Sequence, residues 1–173
     1  MLWAFRINFY VASHAEARMG TIEHIYIASE ASKPMVPLLE AEVIAGRGIE
    51  GDRYASKTGT YSQNPAPGRH VTLIEAEVLD DVIQRLGIPL SPHETRRNVT
   101  TRGLELNLLI GQHIQVGAVV LEVIRFCDPC LYLQNLLGRP VLQPLVDRAG
   151  VRCDVVRGGI IHVGAAVTPA ASF

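Results

Sequence analysis

The chain has 173 residues, 48% hydrophobic and 19% charged, with a formal net charge of −1. These values allow one buried core and exclude both a disordered chain and a strongly basic nucleic-acid binder. No run of about 18 apolar residues occurs, so no helix crosses a membrane, and three cysteines are too few for a disulfide scaffold and fit a reducing, cytoplasmic setting.

Residues 1–19 are expected to be an N-terminal extension or an early start site, because Arg6 and Asn8 break their apolar character and no long signal-type core is present. One domain over 20–168 and a short tail over 169–173 complete the expected organisation. TIEHIYIAS (21–29) alternates apolar and polar residues and predicts a strand, as does PLLEAEVIAG (37–46) with Leu39, Ala41, Val43 and Ala45 on one face. Residues 55–69 are rich in Gly, Pro, Ser, Thr and Asn and predict a loop, followed by a short strand at HVTLI (70–74). In 75–87, Val78, Leu79, Val82, Ile83 and Leu86 recur at helical spacing, acidic residues come first and Gly87 closes the segment, which predicts a capped amphipathic helix. RRNVTT (96–101), QHIQVG (112–117) and AVVLEVIRF (118–126) predict strands, and 131–150 predict two short helices, the first ending at Gly138. VRCDVVRGGIIHVG (151–164) predicts two strands joined in a hairpin at Arg157-Gly158-Gly159. Seven or so strands and about three helices without regular alternation disfavour a doubly wound parallel sheet. A mainly antiparallel β-barrel with helical inserts fits better.

Three patterns carry chemistry. GRGIEG (46–51) has the letters of a dinucleotide-binding fingerprint, but the residues after it are loop, not the helix that would receive a pyrophosphate. A tight turn needing positive φ, or a turn presenting Arg47 or Arg53 to an anion, are the readings left open. Cys127 and Cys130 form C-x-x-C between a strong strand and a helix, where the helix dipole favours a thiolate and Asp128 opposes it. A redox dithiol, a zinc site completed by Cys153 with His113 or His162, a single thiolate on a soft metal, and buried inert cysteine compete for this pair. TRRNVTTRG (95–103) puts Arg96, Asn98 and Thr100 on one face of a strand, either as a row of donors for an anion or as a solvated edge.

Taken in order, GIEGDRYA (48–55), HVTLIEAE (70–77), RRNVTTRGLELNLLIGQHIQVG (96–117), VVLEVIRFCDPCLYLQ (119–134) and RGGIIHVG (157–164) resemble the MOSC domain, found at the C-terminus of molybdenum cofactor sulfurases. The resemblance spans about 20–168 and is nearest to the small stand-alone bacterial members. It implies a mixed, largely antiparallel β-barrel, with about three inserted helices, that binds the molybdenum cofactor, Mo-molybdopterin. By the same resemblance Cys130 is both the metal ligand and the catalytic residue, Arg96 and Asn98 contact the cofactor, and Gly51, Asp52 and Arg53 form a turn that shapes its pocket. The implied activity is reduction of N-hydroxylated small molecules with an electron-donor protein as partner, in a monomer or homodimer with no nucleic acid or membrane. The alternative is a sulfur or cofactor carrier without turnover, using a Cys130 persulfide. Tyr54 stands where His is common, the closing GD-x-I turn reads Gly164-Ala165-Ala166-Val167, and the extra N-terminal domain of larger relatives is not seen.

Overall fold

The structure is a computed structural model that describes residues 19–170. The expectations for an extension before Met19 and for residues 171–173 lie outside the described residues.

Strand β1 (Gly20–Ile27) opens the fold and buries Ile22 and Ile25. The single strand expected over 37–46 is two: β2 (Val36–Leu38) pairs with β1, and β3 (Glu40–Ile44) belongs to a different sheet. The break falls at Leu39, which is 82% exposed although the alternation places it on one face with Ala41 and Val43, which are buried. β4 (Gly48–Ile49) pairs back on β3, and a long turn-rich segment leads to β5 (Val71–Glu75).

Helix α1 (Ala76–Leu86) follows directly and buries Val78, Leu79 and Val82. It ends at Gly87, whose φ of 65° lets its own N–H reach Ile83 O and the Ile88 N–H reach Val82 O, the left-handed cap expected there. Ile83 and Leu86 face outward, so the apolar stripe is narrower than its spacing implied. β6 (Val99–Arg102), β7 (His113–Val116) and β8 (Val119–Phe126) come next, then helix α2 (Leu131–Leu137) capped by Gly138. The second helix expected in 131–150 reduces to a 3₁₀ turn, Gln143–Leu145, which stops where Val146 turns extended (ψ 131°) and Asp147 takes a φ of 60°. β9 (Val151–Arg157), β10 (Gly159–His162) and β11 (Ala166–Ala170) finish the chain.

The large sheet runs β11-β7-β8-β9-β5-β6-β1-β2, and β11 also pairs with β1, so seven strands close a barrel and β2 hangs from its seam. All pairings in it are antiparallel except β5–β6, which α1 joins as a crossover. The mainly antiparallel barrel anticipated from the pattern is therefore present, mixed as the resemblance implies, with two α-helices among the described residues. The expected hairpin at Arg157-Gly158-Gly159 is not. β9 pairs with β8 and β5, while β10 crosses to β3 in the small sheet β10-β3-β4. Gly158 is needed because a Cβ there would lie 2.5 Å from Val43 O. The barrel interior is filled by Ile22, Ile25, Leu73, Val99, Ile114 and Val123 among others. A second core (Ile74, Val78, Val82, Leu133, Leu145) lies between the barrel wall and the two helices. The segment that joins β8 to α2 thus runs beside both cores, and it carries the thiol pair.

Candidate functional site

The glycine run resolves into a turn. Gly46, Gly48 and Gly51 have φ of 68°, 121° and 78°, and no helix follows them. The next two residues turn inward. Asp52 is fully buried, and its Oδ2 accepts from Ala28 N (3.2 Å), Arg53 Nη1 (3.1 Å) and Asn98 Nδ2 (3.1 Å), while Oδ1 accepts from Tyr54 N (3.0 Å). Arg53 is 6% exposed and its other terminal nitrogen donates to Arg96 O at 3.1 Å.

Asn98 is the other half of this hub. Its Nδ2 also donates to Tyr26 O (3.2 Å), and its Oδ1 accepts from Thr72 N and the Thr72 hydroxyl. One side chain thus ties β1 to β5 across the start of β6. The shared strand face expected for Arg96, Asn98 and Thr100 does not form. Arg96 sits before β6 at φ 61°, in the left-handed region, at the end of the 3₁₀ turn Pro92–Thr95. Nor is β6 an edge, since it lies between β5 and β1.

An open cleft of about 270 Å³ lies above this hub. Its wall contains Arg53, Arg69, Arg96, Arg97, Arg125 and Arg152, with Asp128 as its single carboxylate. Cys130, half-buried at the N-cap of α2, opens onto the same cleft, as do Tyr54, Tyr61 and Tyr132. Arg96 donates through Nη1 to Lys33 O (2.8 Å), but its Nη2 is buried and has no partner. Burial and the neighbouring Arg53 charge lower the pKa of the Arg96 guanidinium. Arg97 acts as a clamp: Nε donates to Ala149 O (2.9 Å), Nη1 to Thr95 O (3.2 Å) and Nη2 to Cys127 O (3.4 Å). That fixes the thiol loop against two neighbouring segments.

Of the residues the sequence singled out, Cys130, Arg96 and Arg53 line the cleft together. Asp52 and Asn98 lie directly behind its wall, and Gly51 sits on the turn outside it. Arg47 is engaged with Ala55 O and Glu50 on the surface, and Arg157 donates to Ala118 O away from the cleft. Cys127 and Cys153 are buried, and burial pushes the Cys153 thiol well above its usual value. Among the described residues no three His, Cys, Asp or Glu side chains group to hold a metal, so the zinc set of Cys127, Cys130 and Cys153 with His113 or His162 does not form. The sequence reading missed Arg69, Arg97, Arg125 and Arg152. The available signal was an arginine closing a glycine- and proline-rich loop, one beside Arg96, and two interrupting strongly apolar strands.

Comparison with known proteins agrees with this architecture. No curated protein matches the chain. The YuaD protein of Bacillus subtilis superposes with a TM-score of 0.73 at 20% identity, covering 89% of this chain and 97% of that one. YiiM from Geobacillus stearothermophilus gives 0.65 at 17% identity over 88% of this chain and 75% of that one. YiiM from Escherichia coli gives 0.65 at 18% identity over 90% and 71%. At these identities the likeness is one of fold. The sequence profile of the MOSC domain matches residues 60–168, from the loop before β5 into β11. That stretch holds Cys130, Arg96, Asn98 and four more of the cleft arginines, and its extent places this chain in the MOSC domain family.

Proposed function

We propose that the cleft binds the molybdenum cofactor and that the protein reduces N-hydroxylated compounds there. One observation carries this reading. A half-buried thiol opens onto the same cleft as Arg96 and Arg53, and the buried Nη2 of Arg96 lacks an acceptor. An unpaired buried donor costs about 1–3 kcal/mol, which an anionic ligand would relieve. A phosphate-bearing, soft-metal cofactor fits that donor set, because arginine forks suit phosphate and a thiolate suits molybdenum.

In this reading Cys130 holds the metal, and Arg96 and Arg53 take the anionic end of the pterin. Asp52 and Asn98 act from behind the wall. Asp52 anchors the Arg53 guanidinium at 3.1 Å, and Asn98 anchors Asp52. Gly51 sets the turn that points both residues inward. Arg97 keeps the thiol loop in place through Cys127 O. When bound, the cofactor supplies two-electron chemistry, so that an N–OH group with two electrons and two protons gives N–H and water. The chain contributes placement, and the electrons come from a donor protein.

Expression in a host that makes the cofactor, followed by molybdenum and pterin analysis, tests the reading. Wild type should carry near-stoichiometric metal, Cys130→Ala should lose it, and Cys127→Ala should keep it. Metal-free wild type, or unchanged metal in Cys130→Ala, overturns the proposal. Under that outcome, a one-sulfur mass gain on Cys130 after treatment with a sulfur donor would favour the persulfide carrier.

A further inference from the structure

The cleft arginines divide into two groups by what already holds them. Arg53 and Arg97 are tied to Asp52 and to backbone carbonyls, and Arg96 is held by Lys33 O. On the other wall the anchoring is sparse. Arg125 on β8 makes one bond, to Pro67 O at 3.3 Å. Arg152 on β9 makes none among the described residues, and its Nε is buried without a partner. Arg69 stacks on Tyr61 and donates to Tyr61 O. No carboxylate pairs with Arg69, Arg125 or Arg152 among the described residues.

The register makes this arrangement specific. Arg125 and Arg152 stand directly opposite each other across β8–β9. Like charges at opposed cross-strand positions are destabilising. The pairing is produced by a bulge: the register slips between Val123 and Arg125, so Ile124 has no partner and Arg125 is turned to meet Arg152. Gly68 lets the preceding loop come down on this pair, since a Cβ there would lie 3.0 Å from Arg152 Cβ. A bulge and a glycine thus set two arginines without a carboxylate partner at opposed strand positions in the wall of one cleft.

We infer that Arg125 and Arg152, with Arg69 beside them, form a second anion subsite that binds a carboxylate on the substrate. This selects acidic N-hydroxylated compounds over neutral ones. The inference rests on the proposed function for what the substrate is, and on the register and the orphaned nitrogen for the anion. A planar carboxylate suits two opposed guanidinium forks.

The test uses the purified full chain and benzoate as probe, with neutral benzamide as the comparison, read by calorimetric titration. Benzoate should bind at least about tenfold more tightly than benzamide, a ratio of the size charge-assisted hydrogen bonds give. Arg125→Met/Arg152→Met keeps the apolar stems and should erase that preference while molybdenum and pterin content stays at the wild-type level. The single variants Arg125→Met and Arg152→Met serve if the double variant does not fold. In turnover, the preference for 4-carboxybenzamidoxime over benzamidoxime should collapse through KM, with kcat for benzamidoxime unchanged. Equal binding of benzoate and benzamide, or a preference that survives both substitutions, overturns the inference. So does loss of cofactor in the variants, which would assign these arginines to the cofactor's own phosphate. If the wild type carries no molybdenum yet binds benzoate through Arg125 and Arg152, the proposed function falls and the subsite stands.

Discussion

Asp52 and Asn98 are 46 residues apart in the chain and meet at 3.1 Å, where a neutral amide supports a buried carboxylate. Removing the amide strands Tyr26 O and Thr72 N and takes one of three donors from Asp52 Oδ2, which keeps Ala28 N and Arg53 Nη1. Each stranded group costs about 1–3 kcal/mol, with partial relief by relaxation. Asn98→Ala should therefore lower the unfolding free energy by roughly 2–4 kcal/mol in chemical denaturation. Arg96 behaves oppositely. Its φ of 61° favours glycine, and its Nη2 has no acceptor. Arg96→Gly should leave stability within about 0.5 kcal/mol or raise it, while cofactor content falls. A loss above about 2 kcal/mol in Arg96→Gly would instead make Arg96 a structural residue.

At the scale of elements, the site depends on how closely loops approach the barrel wall. Gly150 precedes β9, and its carbonyl accepts the Cys127 N–H at 2.8 Å. A Cβ at this position would lie 1.9 Å from Leu73 O, and φ there is 90°. Gly150→Ala must therefore move backbone, not a side chain. It should cost roughly 3 kcal/mol or more, and it should also displace the thiol loop and weaken metal loading. Helix α1 provides the control. Val82→Ala, at a fully buried position, should cost about 1–3 kcal/mol without touching metal content, whereas Ile83→Ala, at a 45% exposed position, should cost under about 1 kcal/mol. Thermal denaturation paired with metal analysis reads both effects.

Across the whole molecule, charge is distributed unevenly although the net value is −1. The cleft collects guanidiniums, while Glu75, Glu77 and Glu105 gather around the junction of β5, α1 and β6. Glu75 accepts the Leu106 N–H at 2.5 Å, and burial raises its carboxyl above the ordinary 4.5, with the nearby Glu77 charge adding to the rise. A raised acid binds its proton more tightly in the folded state. Its stabilising contribution is thus complete below pH 4.5 and is lost as pH rises through the folded value. Glu75→Gln keeps an oxygen for Leu106 N–H but cannot ionise. The variant should lack that loss, so its Tm relative to wild type should increase between pH 4.5 and 7.5. A difference that stays flat across that range would contradict the assignment.

Local signals alone determined the strands flanking the site, helix α1 with its Gly87 stop, the loop of 55–69, and the placement of Cys130 at the mouth of a helix. Those depend on period and capping within a few residues, which a sequence displays directly. The ordered motifs also carry the resemblance to the family, since each lies within a short run of sequence. What they could not show was which strand pairs with which. The 37–46 strand splits at Leu39 between two sheets, and the Gly158-Gly159 pair is a crossing between sheets, although its composition is that of a hairpin turn. Pairing depends on burial summed over residues far apart, not on local preference. The same limit hid the site's second layer. Only the closed barrel brings Asp52 to Asn98 and sets Arg125 opposite Arg152, because those contacts exist only once β1, β5, β8 and β9 share one wall.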